Sequence, residues 1–259
     1  MSAKPCAYVV NVIHALLGLI LASAGLWLFI EVNSITSLRN SNHYLLDYNL
    51  YWPQVIPWLF ILIGVLVIFV ACCGVFGATK KSKGLVLTHM VSITMTVVLT
   101  LTVAIVALVF ANSKSTENFI KDTIWDVFFQ TKTDTEVADA FGLIEKRMQC
   151  CGAESPRDYV NWKDDFPQSC CDVYYHGWLE PYTVDCEITN KRANERHGCS
   201  SVATQYIRIA VYVLSGVAIL TSLIGLAVLA TSVSISKALK QKPRNVTAKY
   251  ESESKKVLL

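Results

Sequence analysis

Four apolar stretches divide the chain, at residues 9–30, 55–78, 85–111 and 209–233, and none of them contains Asp, Glu, Lys or Arg. Each is longer than the roughly 20 helical residues that cross the hydrocarbon core of a bilayer. A buried helix of a water-soluble protein is rarely so long and so free of charge. The pattern therefore predicts four transmembrane helices, separated or flanked by five polar segments at residues 1–8, 31–54, 79–84, 112–208 and 234–259.

The longest polar segment, 112–208, has helical periodicity near its two ends. Residues 113–130 and 134–148 each place apolar side chains at intervals of three and four, which predicts two amphipathic helices. Thr133 and Glu136 have the spacing of a capping box at the start of the second helix. Residues 200–208 form a third amphipathic run that leads into the last span. Residues 156–198 lack this period and are predicted to be irregular.

Composition supports a membrane protein with a large polar portion. Hydrophobic residues make up 53% of the 259 residues and charged residues 17%, with a net charge of +3. A disordered chain would be poorer in apolar residues, which excludes that class. A nucleic-acid binder is excluded because basic residues are in excess only in short segments. No catalytic constellation, metal-ligand spacing or glycine-rich phosphate loop occurs, so we predict no enzyme, no cofactor and no metal.

The distribution of basic residues predicts the orientation of the spans. Segments 1–8, 79–84 and 234–259 together carry eleven basic and two acidic residues, whereas residues 112–206 carry ten basic and sixteen acidic ones. Lysine and arginine accumulate in cytoplasmic segments. We therefore expect both termini in the cytoplasm, and a small and a large loop outside. We expect the protein at the plasma membrane and in endosomal membranes.

The nine cysteines fall into two groups. Six of them lie within segment 112–208, which we place on the oxidising side, and they predict three disulfides: Cys150, Cys151, Cys170, Cys171, Cys186 and Cys199. Sequence arithmetic allows 15 pairings of six cysteines. Zinc is the competing hypothesis, but adjacent doublets do not have zinc-ligand spacing. Cys6, Cys72 and Cys73 lie at the inner ends of spans one and two and are candidates for S-palmitoylation.

The cysteine motifs resemble those of the tetraspanin family. Cys150-Cys151-Gly152, then Pro167-Gln168-Ser169-Cys170-Cys171, then Gly198-Cys199 before the last span are similar to its signature, and the order of spans and loops matches along the whole chain. The resemblance implies an all-α membrane protein: a four-transmembrane-helix bundle with a disulfide-stapled, mostly helical large extracellular loop. It implies the pairs Cys150–Cys199, Cys151–Cys170 and Cys171–Cys186.

The irregular segment 156–198 is where we expect partner recognition. Aromatic residues, which are enriched at interfaces, are crowded there: Tyr159, Trp162, Phe166, Tyr174, Tyr175, Trp178 and Tyr182. Alternatively, several of them fill a small core around the disulfides. In tetraspanins this segment commonly carries the specific partner contacts.

Two polar residues, Asn11 and His14, lie within the first span. Such residues indicate either a functional site or a hydrogen bond between helices, and we favour the hydrogen bond. Asn11 matches an asparagine typical of tetraspanins. Spans three and four lack the acidic or glutamine residue that many members carry, which weakens the expectation of a polar site shared by three helices. The resemblance also implies a sterol pocket inside the bundle.

Small residues form stripes in the first two spans. Small residues permit close helix approach, so we expect the two stripes to face each other. They are Ala15, Gly18, Ala22 and Gly25 in span one and Gly64, Ala71 and Ala78 in span two. Span three is rich in Ser and Thr, whose hydroxyls we expect to bond to their own helix.

The sequence thus predicts a non-enzymatic tetraspanin-type organiser. It would bind other membrane proteins in cis, other tetraspanins among them, and membrane lipid or sterol, and so affect their clustering, trafficking and signalling. The alternatives are a small four-span channel or transporter, or a structural protein of curved membranes. Ion pathways usually need charged residues within the spans, and these spans have none.

Overall fold

The computed structural model describes residues 3–38, 52–80, 83–160, 163–174 and 183–257. The chain folds into two compact units. The first comprises Met1–Trp27, Ile56–Ala107 and Val213–Leu259, and the second comprises Leu28–Val55 and Leu108–Tyr212.

Four long helices contain the apolar stretches: α1 (Ala3–Thr36), α2 (Trp52–Lys80), α3 (Lys83–Ala111) and α7 (Cys199–Val257). All four are long and apolar enough to cross a membrane. Helices satisfy every backbone hydrogen bond internally, as a bilayer demands. The predicted all-helical, four-span class is confirmed, and the chain is a multi-pass membrane protein.

In the first unit, α1 and α2 touch at their small residues. A Cβ on Gly64 would lie 2.6 Å from the backbone nitrogen of Ala22 and 2.6 Å from the carbonyl oxygen of Gly18. A Cβ on Gly25 would lie 3.1 Å from atoms of Ile61. The two stripes therefore face each other, as predicted, and the contact is close enough to exclude a side chain at Gly64.

Helices α2, α3 and α7 share an apolar core in this unit. Its buried members are Val70, Ile93, Val97 and Val228. The hydroxyls of α3 do not interrupt this core, because each bonded hydroxyl donates to a carbonyl four residues earlier in its own helix: Thr88, Thr94, Thr96, Thr100 and Thr102. The prediction for these residues is confirmed.

The second unit is built on two amphipathic helices, α4 (Lys114–Gln130) and α5 (Thr135–Met148). Their buried apolar faces include Ile120, Ile124, Val127 and Phe128 from α4 and Phe141 and Ile144 from α5. The irregular segment that follows contains a 3-10 helix (Pro156–Tyr159), strand β1 (Asp172–Tyr174) paired antiparallel with β2 (Thr183–Asp185), and a short helix α6 (Lys191–Asn194). In register, Val173 is opposite Val184.

Three disulfides hold this segment together. They join Cys150 to Cys199, Cys151 to Cys170 and Cys171 to Cys186. These are the pairs that the family resemblance implies. Since all six sulfurs are in disulfides, the competing zinc hypothesis for these cysteines is wrong.

The start of α5 differs from the predicted capping box. The cap is Asp134, whose carboxylate accepts hydrogen bonds from the N–H groups of Glu136 at 2.9 Å and Val137 at 3.3 Å. Thr133 lies one residue too early, and its hydroxyl donates instead to the carbonyl of Gln130. The helix therefore begins at Thr135, and the predicted Thr133 box is wrong.

We expect Gly64→Ala to lower the free energy of unfolding by about 1–3 kcal/mol, because the new methyl group would overlap backbone atoms that cannot move aside. The measurement is the thermal unfolding midpoint of the purified full chain in mild detergent. Gly216→Ala is the matched control, since a Cβ there meets no atom within 4 Å. Equal midpoints for the two variants would contradict the close contact.

We expect Asp134→Ala to destabilise the second unit by about 1 kcal/mol through loss of the helix cap. Thr133→Ala removes a neighbouring hydroxyl that does not cap the helix, and its effect should be smaller. Chemical denaturation of both variants measures the difference. A larger loss of stability in the Thr133 variant would contradict Asp134 as the cap and support the Thr133 capping box.

Candidate functional site

A buried carboxylate lies at the centre of the cysteine-rich segment. Glu145 is on α5 with its side chain fully buried. Its Oε1 accepts hydrogen bonds from the N–H of Gly152 at 2.8 Å and the hydroxyl of Tyr159 at 3.0 Å, and its Oε2 accepts one from the hydroxyl of Ser169 at 2.5 Å. One side chain thus links the Cys-Cys-Gly motif, the 3-10 helix and the Pro-x-Ser-Cys-Cys motif.

The motif glycines are required by the backbone around Glu145. Gly152 has φ +69°, in the left-handed region, and a Cβ there would lie 2.2 Å from the carbonyl oxygen of Ser155. A Cβ on Gly198 would lie 2.1 Å from the backbone of Glu154. These close approaches allow the Cys151 N–H to bond the His197 carbonyl, so both ends of the segment meet. Both positions need glycine for steric reasons.

Two of the seven predicted partner-binding aromatics belong to the interior. Tyr159 is 2% exposed and Phe166 3% exposed, and the ring of Tyr159 packs edge-on against Phe128 with centroids 5.0 Å apart. These two side chains fill the core around the disulfides and are not available to a partner, which was the alternative role considered for them. The side chain of Tyr174, and residues Trp162, Tyr175, Trp178 and Tyr182, lie outside the described part of the chain.

Glu145 was not identified from the sequence. The signal was present, because Glu145 lies one helical turn after Phe141 and so falls on the apolar face of its helix. A carboxylate on a buried face indicates a hydrogen-bonded site.

The Sγ atoms of Cys151 and Cys170 are within 4.8 Å of a carboxylate oxygen of Glu145. Both sulfurs belong to one disulfide, so they offer no thiolate to a metal.

The free cysteines differ in accessibility. Cys6 and Cys72 are exposed, whereas Cys73 is half-buried. Cys72 lines an apolar groove of about 430 Å³ between α1 and α2, together with Tyr8, Leu16 and Ile68.

The polar residues of the first span do not stand alone. Asn11 and His14 are buried, and so is His89 of α3, a residue that was not predicted from the sequence. A Cβ on Gly74 of α2 would touch both Asn11 and His89. These three residues form a polar cluster between α1 and α3 that contains two imidazoles and no acidic residue. The cavity beside it has about 10 Å³, which is far too small for a sterol.

Four apolar spans and a disulfide-bonded loop between the third and fourth define a class of multi-pass membrane proteins. The Tetraspanin family model matches residues 3–240, and the chain belongs to this family, which is non-enzymatic. The chain is 24% identical to Tetraspanin-18B of Danio rerio over 83% of its own length and 84% of that protein's. It is 28% identical to the 23 kDa integral membrane protein of Schistosoma mansoni over 64% and 69%. It is 29% identical to the CD63 antigen of Mus musculus over 46% and 50%.

Burial raises the pKa of the Glu145 carboxyl, and the hydrogen bonds from Ser169, Gly152 and Tyr159 oppose this rise. A carboxyl with a raised pKa in the folded state stabilises most below its ordinary value of 4.5, and this contribution is lost as pH rises through the folded-state value. We therefore expect the stability of the native chain relative to Glu145→Gln to increase as pH falls from 7 towards 4.5.

The measurement is the thermal unfolding midpoint of both full chains across that range of pH. Carboxyl groups other than Glu145 titrate alike in the two proteins, so their effects cancel in the difference. A difference that does not change with pH, or that decreases on acidification, would contradict a raised pKa.

Proposed function

We propose that this tetraspanin organises other membrane proteins by binding them through residues 156–198. The observation that supports this most directly is that the residues on either side of 175–182 are held next to each other. The Cys171–Cys186 disulfide and the β1–β2 ladder hold its two ends together. That stretch contains Tyr175, Trp178 and Tyr182. Aromatic anchors on a pre-organised base bind with little loss of conformational entropy.

Lateral association through the spans is the second part of the proposal. The outward faces of the four long helices carry exposed large apolar side chains, among them Leu62, Phe69, Leu87 and Val213. Membrane proteins in cis, including other tetraspanins, are the partners we propose for these faces. The apolar groove between α1 and α2 is suited to a lipid tail or a sterol.

We propose that both termini are cytoplasmic and that the large loop is extracellular, from the excess of basic residues in segments 1–8, 79–84 and 234–259. On this orientation Cys6 and Cys72 are the better candidates for palmitoylation, because both are exposed, whereas Cys73 is half-buried. Acyl chains there would favour gathering into membrane microdomains at the plasma membrane and in endosomes.

The triple variant Tyr175→Ala, Trp178→Ala, Tyr182→Ala is expected to lose partners when the full chain is isolated from native membranes in mild detergent. Loss of one aromatic hot spot weakens binding by about 2 kcal/mol, roughly thirtyfold. Quantitative mass spectrometry of the co-isolated membrane proteins gives the readout.

The matched control is Phe129→Ala. Phe129 is an aromatic residue of α4 that is 55% exposed, in the same loop and outside residues 156–198. It should keep the full set of partners. Retention of every partner by the triple variant, or an equal loss from the Phe129 variant, would contradict recognition by this segment.

A further inference from the structure

The polar cluster within the spans contains buried atoms with unmet hydrogen bonds. Asn11, His14 and His89 are 2%, 1% and 4% exposed. Asn11 Oδ1, His14 Nδ1 and at least one ring nitrogen of His89 lack a partner among the residues that the structure describes, since the backbone of Val70 can pair with only one of the two His89 nitrogens. A buried polar atom destabilises the folded state when nothing pairs with it. The arrangement therefore indicates a small bound molecule or ion that supplies these hydrogen bonds.

Two of the unpaired atoms lie at one place, beside Gly74, and His14 is one helical turn from Asn11. The amide nitrogen of Asn11 is already used, since it donates to the carbonyl of Ala7 at 2.8 Å, and this leaves Oδ1 as the free acceptor. The position of a Cβ on Gly74 lies 2.2 Å from Asn11 Oδ1 and 2.8 Å from His89 Nε2. These two atoms are thus near neighbours without bonding each other. One small molecule with hydrogen bonds of about 2.8 Å can reach both.

The adjoining cavity limits the size of the bound molecule. It has about 10 Å³ and is lined by Asn11, Gly74 and His89, with Ser232 of α7 on a further side. That volume is close to the roughly 10–15 Å³ that one water molecule requires. A sterol or an acyl chain is excluded by size. The absence of a Cβ on Gly74 keeps the space between Asn11 and His89 open.

Charge distinguishes water from a metal ion. Imidazole is a good ligand for zinc and copper. However, residues 9–30, 55–78, 85–111 and 209–233 contain no carboxylate, so the charge of a divalent cation would stay uncompensated in the bilayer. Water is neutral and both donates and accepts. It therefore suits an amide oxygen and neutral imidazoles, each of which has one donor and one acceptor nitrogen.

We propose that Asn11, His14 and His89 form a binding site for internal water, which bridges α1 and α3 by hydrogen bonds. Water-mediated hydrogen bonds are nearly as favourable as direct ones. The water would connect the two helices through hydrogen bonds between neutral groups. It is independent of partner recognition by residues 156–198.

The test is hydroxyl-radical labelling of the full chain in lipid nanodiscs by brief X-ray irradiation, because radicals formed from bound water oxidise the side chains that it contacts. Oxidation of His14 and His89 is measured by mass spectrometry and normalised to the denatured chain. Phe60 is the internal control, since it is oxidisable, fully buried and in the same unit. We expect both histidines to react several-fold faster than Phe60.

Asn11→Leu removes the acceptor, and we expect the oxidation of His89 to fall towards that of Phe60. Thr94→Val is the matched control, because the Thr94 hydroxyl is on α3 but bonds only its own helix. Variants are compared only where their thermal unfolding midpoints match that of the native chain. If a variant fails this criterion, the rates of His14, His89 and Phe60 in the native chain still test the proposal. Histidines that react no faster than Phe60 would overturn the proposal. So would a stoichiometric metal in elemental analysis of the purified protein.

Discussion

The bilayer offers no hydrogen bonds to the backbone, and the architecture of the first unit follows from this constraint. Every N–H and C=O within the spans must be paired internally, so each apolar stretch forms one helix. Lipid also removes the hydrophobic drive that pairs helices in water, and packing has to replace it. Backbone contact between Gly64 and the stripe of Gly18 and Ala22 supplies that packing. The Thr94 and Thr100 hydroxyls of α3 bond carbonyls of their own helix and so need no partner from a neighbouring helix.

The second unit has the opposite difficulty. Its irregular segment is polar and contains too little apolar surface for a core of its own. Disulfides provide covalent constraint, and Glu145 provides a polar centre that joins Gly152, Tyr159 and Ser169. A buried carboxylate with three donors is stable only if all of them are in place, so the network specifies one arrangement of the motifs.

Much of this could be predicted from the sequence, because length and period carry most of the information. Spans, amphipathic helices and the facing stripes of small residues depend on regular spacing, and they were confirmed. The Thr133 capping box failed because a neighbouring aspartate competes for the same amides. Glu145 and His89 escaped notice because their significance lies in partners distant along the chain. No local pattern in the sequence shows that Tyr159 is buried, because a buried and an exposed aromatic residue look alike in an irregular segment.

The first residue of α7 is Cys199, and this has a consequence for the last span. The leading amides of a helix have no partner within it. Here the N–H groups of Cys199 and Ser200 bond the carbonyls of Gly152 and Ala153, both held close by the Cys150–Cys199 disulfide. The motif therefore acts as a backbone cap for this helix. Reduction of that one bond would let the helix fray from its beginning, so the order of this end of α7 is coupled to the oxidation state of Cys150 and Cys199.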